Sequence, residues 1–127
     1  MSRERRKLLL DAMEASQSIQ QHCAGRTLQQ YSADRWFRRA VEREFEIIGE
    51  ALNRLHRLEP AAAIRITTLR RIVDFRNRII HGYDSVDDTV VWGVVERDLP
   101  LLHEELGGWM REVSDPDTRP PASPETL

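Results

Sequence analysis

The chain has 127 residues, 40% of them hydrophobic and 31% charged, with a formal net charge of -2. A length like this suits one domain, whose single core can bury roughly two-thirds of the surface that the unfolded chain exposes. The same balance excludes a second large domain, a membrane-embedded chain and a wholly disordered one.

The near-neutral total hides two arginine-rich stretches, Arg35, Arg38, Arg39 and Arg43 in one and Arg65, Arg70, Arg71, Arg76 and Arg78 in the other. Arginine presents a flat fork suited to phosphate, so local phosphate contact stays open, although most such residues on a helix surface pair with nearby glutamates. Met1 to Lys7 is highly charged and only Leu8-Leu9-Leu10 follows as an unbroken apolar run. No signal peptide and no membrane span are therefore expected, and the expected location is the cytoplasm.

The first predicted element is a helix from Arg5 to Cys23, because Leu9, Ala12, Met13, Ser16, Ile19 and Cys23 recur at three- and four-residue steps and Gly25 follows where a helix would stop. Cys23 has no partner for an internal disulfide, which fits a reducing compartment. Ser32 is the expected N-cap of a second, longer helix with Phe37, Ala40, Val41, Ile48, Leu52 and Leu55 on its stripe, stopped by Pro60. Trp36, Phe45, Ile47, Ala51 and Leu58 widen that stripe beyond what one neighbour covers, so contacts on two sides are expected, a second copy of the chain among them.

Thr67 or Thr68 opens a third predicted helix, with Leu69, Ile72, Val73, Ile79 and Ile80 facing inward and an end near His81-Gly82. At 100° per residue, Arg76 falls inside the arc of Leu69, Ile72, Val73 and Ile80. A permanent cation there needs a counter-ion, an interface or an anionic ligand, since an unpaired buried charge costs several kcal/mol. Ser85 with Asp88 resembles a capping box for a fourth helix carrying Val91, Val95, Leu99, Leu102, Leu106, Trp109 and Val113. Val90 to Val95 also reads as a strand, and Pro100 is expected to kink or divide the helix, but the long periodic run favours helix. The expected organisation is one helical domain over 1–113 and a disordered, proline-rich tail over 114–127.

His22, His56, His81 and His103 stand far apart and no cysteine pair exists, so no metal site is expected. The glycines form no phosphate-cradling loop, and no cofactor is expected. His103 beside Glu104 and Glu105 reads as a solvated histidine. Arg76 and His81 differ: one is a phosphate-binding cation on an apolar face, the other a proton carrier at a helix end. Together they suit phosphodiester cleavage, with His81 moving the proton and Arg76 neutralising charge on the phosphoryl oxygens. Five residues along a helix separate two side chains by about 140°. Either the helix unwinds at Gly82, or two chains pool their residues across a two-fold axis, which is the favoured reading.

At these residues the sequence resembles the HepT family, the toxin half of HEPN/MNT toxin-antitoxin pairs. The family motif is Arg, four residues, His, any residue, Tyr; Arg76, His81 and Tyr83 fill it, with Asn77 in its usual place. Ile48-Gly49-Glu50-Ala51 and Asp98-Leu99-Pro100 also resemble the family, and the similarity runs from about Arg5 to Leu106. The resemblance implies an all-α fold, an antiparallel four- to five-helix HEPN bundle, and a homodimer with the cleft at its interface. It implies metal-independent RNA cleavage by Arg76 and His81. It implies too a nucleotidyltransferase antitoxin as partner, which transfers adenylate to Tyr83. Glu50 is then either the counter-ion of Arg76 or a surface acid. The alternative is a HEPN dimer that binds a nucleotidyltransferase or nucleotides without cutting RNA. No aromatic stacking platform or base-reading motif is visible from which the RNA substrate could be named.

Overall fold

A computed structural model of the chain describes residues 2–81 and 86–114, and all the regular structure among them is helical. The order is α1 (Arg3–Cys23), α2 (Leu28–Ala33), α3 (Arg35–Leu58), α4 (Pro60–Ala63), α5 (Leu69–His81), α6 (Asp88–Gly93), a π-helical turn (Val94–Asp98) and α7 (Leu99–Ser114). The all-α fold expected from the sequence is what the structure shows, with α2 and α4 as short helices that the periodicity did not separate. Among the described residues no strand forms, so the Val90–Val95 run is helical.

Local chemistry sets the helix ends. Ser2 accepts from the Arg5 N–H at 3.0 Å and opens α1. α1 ends before Gly25, whose φ of 76° is a left-handed conformation that glycine adopts without strain. Ser32 does not cap the long helix as expected: it lies inside α2, which begins with its own capping box of Thr27 and Gln30. Asp34 caps α3 instead, accepting from the Phe37 N–H at 3.0 Å. Pro60 ends α3 and opens α4, the one helical position where its missing N–H does no harm. Ser85 lies outside the described residues, and Asp87 caps α6 through the Thr89 N–H at 2.8 Å.

Pro100 neither divides nor visibly breaks the last helix. Immediately before it the chain widens into the π-helical turn, where the Leu99 N–H reaches back to the Val94 carbonyl. A regular turn would drive the proline ring into the carbonyl four residues earlier, and a widened turn relieves that clash.

α3 is the central helix, with α1 packed on it on one side and α5 on another, while α7 packs on α1. The two-sided contact expected of α3 is thus met within one chain. Leu9, Ala12, Ile19, Phe45, Ile48, Leu52, Leu55, Ile72, Leu102 and Leu106 are buried at the centre. Phe45 and Phe75 meet edge to face at 5.0 Å, and Tyr31 lies between Phe37 and Trp92 at 5.3 and 5.4 Å. Three residues expected on the apolar stripe of α3 depart from it: Trp36, Ala40 and Leu58 are exposed, the first and last of them because they fall at the helix ends. Ile80, expected inward, is also largely exposed.

Candidate active site

Arg76 sits on α5 where that helix crosses α3, and the crossing is close because position 49 is glycine. A Cβ built on Gly49 would lie 2.3 Å from the Arg76 Cβ and 2.4 Å from its Cγ. Only a residue without a side chain admits the arginine stem here. The anomaly in the sequence is thereby explained: the aliphatic part of Arg76 packs against the α3 backbone as a hydrophobe would, and the guanidinium emerges past it.

The guanidinium is held on two sides. Its Nη2 donates to Glu50 Oε1 at 2.9 Å and its Nη1 to Asn77 Oδ1 at 3.0 Å. Glu50 is therefore the counter-ion that the arginine required, and the neighbouring residues 49 and 50 of α3 supply respectively the space and the charge. The Arg76 Nε is buried without a protein partner among the described residues. The side chains of Arg76 and Glu50 are 21% and 46% exposed, so the pair faces solvent while its stems are covered. The remaining N–H groups of Nη1 and Nη2 stay available to an anion.

This pair forms one wall of an open groove of about 240 Å³ between α1, α3 and α5. Leu8 and Asp11 of α1, Arg43, Glu46, Ile47 and Arg54 of α3, and Ile80 of α5 are also part of its lining. Three arginines and three carboxylates line it, so the groove is polar without being strongly basic.

His81 is the last residue of α5 and is exposed. The helix is continuous from Leu69 to His81, so the histidine leaves the axis about 140° away from Arg76. Asn77, placed beside Arg76 by the chain itself, orients the guanidinium. Tyr83 lies outside the described residues. Arg76, Asn77 and Glu50 are brought together in one chain; His81 shares the helix of Arg76 but not its face.

Gly49 and Asp98, which the sequence offered only within its family-like segments, have structural roles that it did not show. Gly49 was visible as a glycine inside a strongly periodic helix, a pattern that signals close approach. Asp98 is a buried carboxylate of the π-helical turn that meets Arg71 of α5 at 3.3 Å and ties the last helix to the site helix. His103 is half-buried and reaches Ser16 at 3.4 Å, where it joins α7 to α1 rather than being fully solvated. Among the described residues no group of three or more His, Cys, Asp or Glu gathers as a metal site would, and no helix is long and apolar enough to cross a membrane.

Fold and site together define an all-helical protein with an arginine-carboxylate pair on the wall of a surface groove and a titratable histidine at the end of the same helix. The chain belongs to the Ribonuclease HepT-like family, whose model matches residues 12–107. A protein of Thermococcus cleftensis named probable ribonuclease HepT is 32% identical over 106 residues, covering 80% of this chain and 92% of the relative. In Methanocaldococcus jannaschii, a protein whose name pairs a gamma-glutamylcyclotransferase with a provisionally assigned RNase is 29% identical over 101 residues. That match covers 80% of this chain but 45% of the relative, so the chain spans under half the length of that protein. A second protein of the same organism, provisionally named an RNase, is 25% identical over 104 residues, covering 82% of this chain and 94% of its own. No solved structure matches at a comparable level.

Proposed function

We propose that the chain is a metal-independent endoribonuclease, the toxin of a HEPN/MNT toxin-antitoxin pair that acts in the cytoplasm. The observation that carries this reading is the Arg76 guanidinium, held by Glu50 and Asn77 with N–H groups to spare at the edge of an open groove. Family membership supports ribonuclease chemistry, as do the names of the relatives.

In this reading the 2'-hydroxyl of a ribose attacks the adjacent phosphorus and the bond to the 5'-oxygen of the next nucleotide breaks. His81 takes the proton from the 2'-hydroxyl or delivers one to the departing 5'-oxygen, and Arg76 stabilises the charge that builds on the non-bridging oxygens. Glu50 and Asn77 fix the guanidinium so that its orientation is settled before substrate arrives. One chain turns Arg76 and His81 to different sides of α5. A homodimer with its two-fold axis at this helix brings both pairs into one cleft, and the regular helix through His81 favours that arrangement over local unwinding. Tyr83 is the residue we assign to adenylylation by the nucleotidyltransferase antitoxin, since a phosphate-bearing group two residues from His81 adds bulk and negative charge where RNA would bind.

Purified protein incubated with RNA and a chelator tests the reading. Loss of about 100-fold or more of the cleavage is expected in His81→Ala, the size of a general acid-base contribution, and in Arg76→Ala, the size of a lost charge-stabilising contact. Activity that survives in either variant removes that residue from the mechanism. An intact-mass spectrum of the protein expressed with and without the antitoxin reads the modification directly; adenylate mapped anywhere but Tyr83 overturns that assignment.

A further inference from the structure

Trp36 is 84% exposed, an unusual position for the largest apolar side chain, and no other large exposed hydrophobic of α3 lies near it. Cations flank it on the helix surface, beside the small exposed Ala40. At 100° per residue Arg35, Trp36, Arg39 and Arg43 share one arc of about 100°, and the same arc carries Glu50, which holds Arg76. We propose that this face of α3 is a track for single-stranded RNA leading to Arg76, on which Trp36 stacks a base and Arg35, Arg39 and Arg43 take backbone phosphates. The proposal rests on the ribonuclease reading and extends it with a strand path and a stacking platform, which the sequence alone did not reveal.

Three observations favour a nucleic acid as the occupant. An apolar protein partner needs a contiguous apolar patch, whereas Trp36 is an isolated ring among arginines. Every nucleobase offers a π-face to an exposed indole, and a charged strand supplies the phosphates for its flanking cations. The arginines are also free to exchange partners. Arg35 has no hydrogen-bond or ion-pair partner among the described residues, and Arg39 and Arg43, whose own side chains are 63% and 70% exposed, hold Glu42 and Glu46 at 3.3 Å in weak, solvent-screened pairs. Successive arginines four residues apart rise by about 6 Å, a step comparable with the separation of neighbouring phosphates in an extended strand. From Trp36 to Glu50 the helix rises about 20 Å, so the strand reaches the candidate active site across several nucleotides. Glu42, Glu46 and Glu50 face the same region and weaken its attraction for phosphate, which is why the base stack has to carry part of the affinity.

The intact protein is titrated with a labelled 2'-O-methyl oligonucleotide, which has no free 2'-hydroxyl to attack, and intrinsic fluorescence and anisotropy are read together. Trp92 and Trp109 are only 6% and 4% exposed, so quenching reports Trp36. Quenching on binding is expected, with a rise in Kd of about tenfold or more for Trp36→Ala, the loss of one base-aromatic stack, and recovery in Trp36→Phe. Arg39→Gln with Arg43→Gln is expected to flatten the dependence of log K on log salt by roughly 0.7 per lost contact, and lysine at both positions to restore it. Binding without quenching, together with an unchanged Kd in Trp36→Ala, overturns the track. So does a Trp36→Ala protein that sediments as a smaller species while binding the oligonucleotide normally, which makes the face a protein interface. Unmodified RNA scored in parallel separates the two readings. Cleavage with no Trp36 effect removes the track alone; quenched binding without cleavage removes the ribonuclease reading alone.

Discussion

Position 49 shows how one missing side chain organises the site. Alanine there would place a methyl group against the Cβ and Cγ of Arg76, at separations that atoms essentially never adopt, and neither helix backbone can yield cheaply. Gly49→Ala is expected to lower the stability by about 1–3 kcal/mol in urea unfolding, despite the better helix propensity of alanine, and to reduce RNA cleavage by displacing the guanidinium. An unchanged or raised midpoint means that α3 and α5 do not cross as closely as described. The apolar period of α5 was legible in the sequence and so was the intrusion of Arg76 into it. Which residue answers the charge was not legible, because Glu50 is 26 positions away and reaches Arg76 only once α3 and α5 have packed.

At the level of the elements, the long helices were legible because each buries one face and so repeats its apolar residues with the helical period. Their ends were less so, since capping depends on which of several suitable side chains actually turns back. Ser32 and Asp34 are equally good caps by type, and the decision belongs to Thr27 and Gln30, whose box starts α2 early and carries Ser32 inside it. Asp34→Ala is expected to lower stability by about 1 kcal/mol, measured by thermal or urea unfolding, while Ser32→Ala, on an exposed helical position, leaves it within about 0.5 kcal/mol. Equal losses for both would reinstate Ser32 as a cap. Pro100 teaches a similar lesson: the sequence showed that a regular helix could not pass through it, and the structure answers with a wider turn in place of a break.

For the whole molecule, two buried groups tie stability to alkaline pH. Burial pushes the Cys23 thiol from 9.0 to about 11, against a smaller opposing effect of Arg26, and burial also holds the Tyr31 phenol above its ordinary range, helped by Glu42 and Asp88. Between pH 9 and 11 the unfolded chain loses a thiol proton that the folded chain keeps, so the folded state binds more protons and stability falls as pH rises. Urea midpoints are expected to be steady up to about pH 9 and to drop by pH 10.5, with a shallower drop in Cys23→Ala; a flat profile shows that neither group is buried as described. The expectation that Trp36 would join a broad apolar face failed at this same scale, because helical period reports direction around the axis and says nothing of whether a neighbour extends far enough to cover the end. The sequence by itself determined the long helices, the core stripe and the chemistry available to Arg76 and His81, since these follow from local period and residue type, while its motif residues carried the resemblance to the family. Only the tertiary structure decided that Gly49 makes room for Arg76, that Glu50 neutralises it, and that Trp36 stays in solvent, because each depends on the distance between helices far apart in the chain.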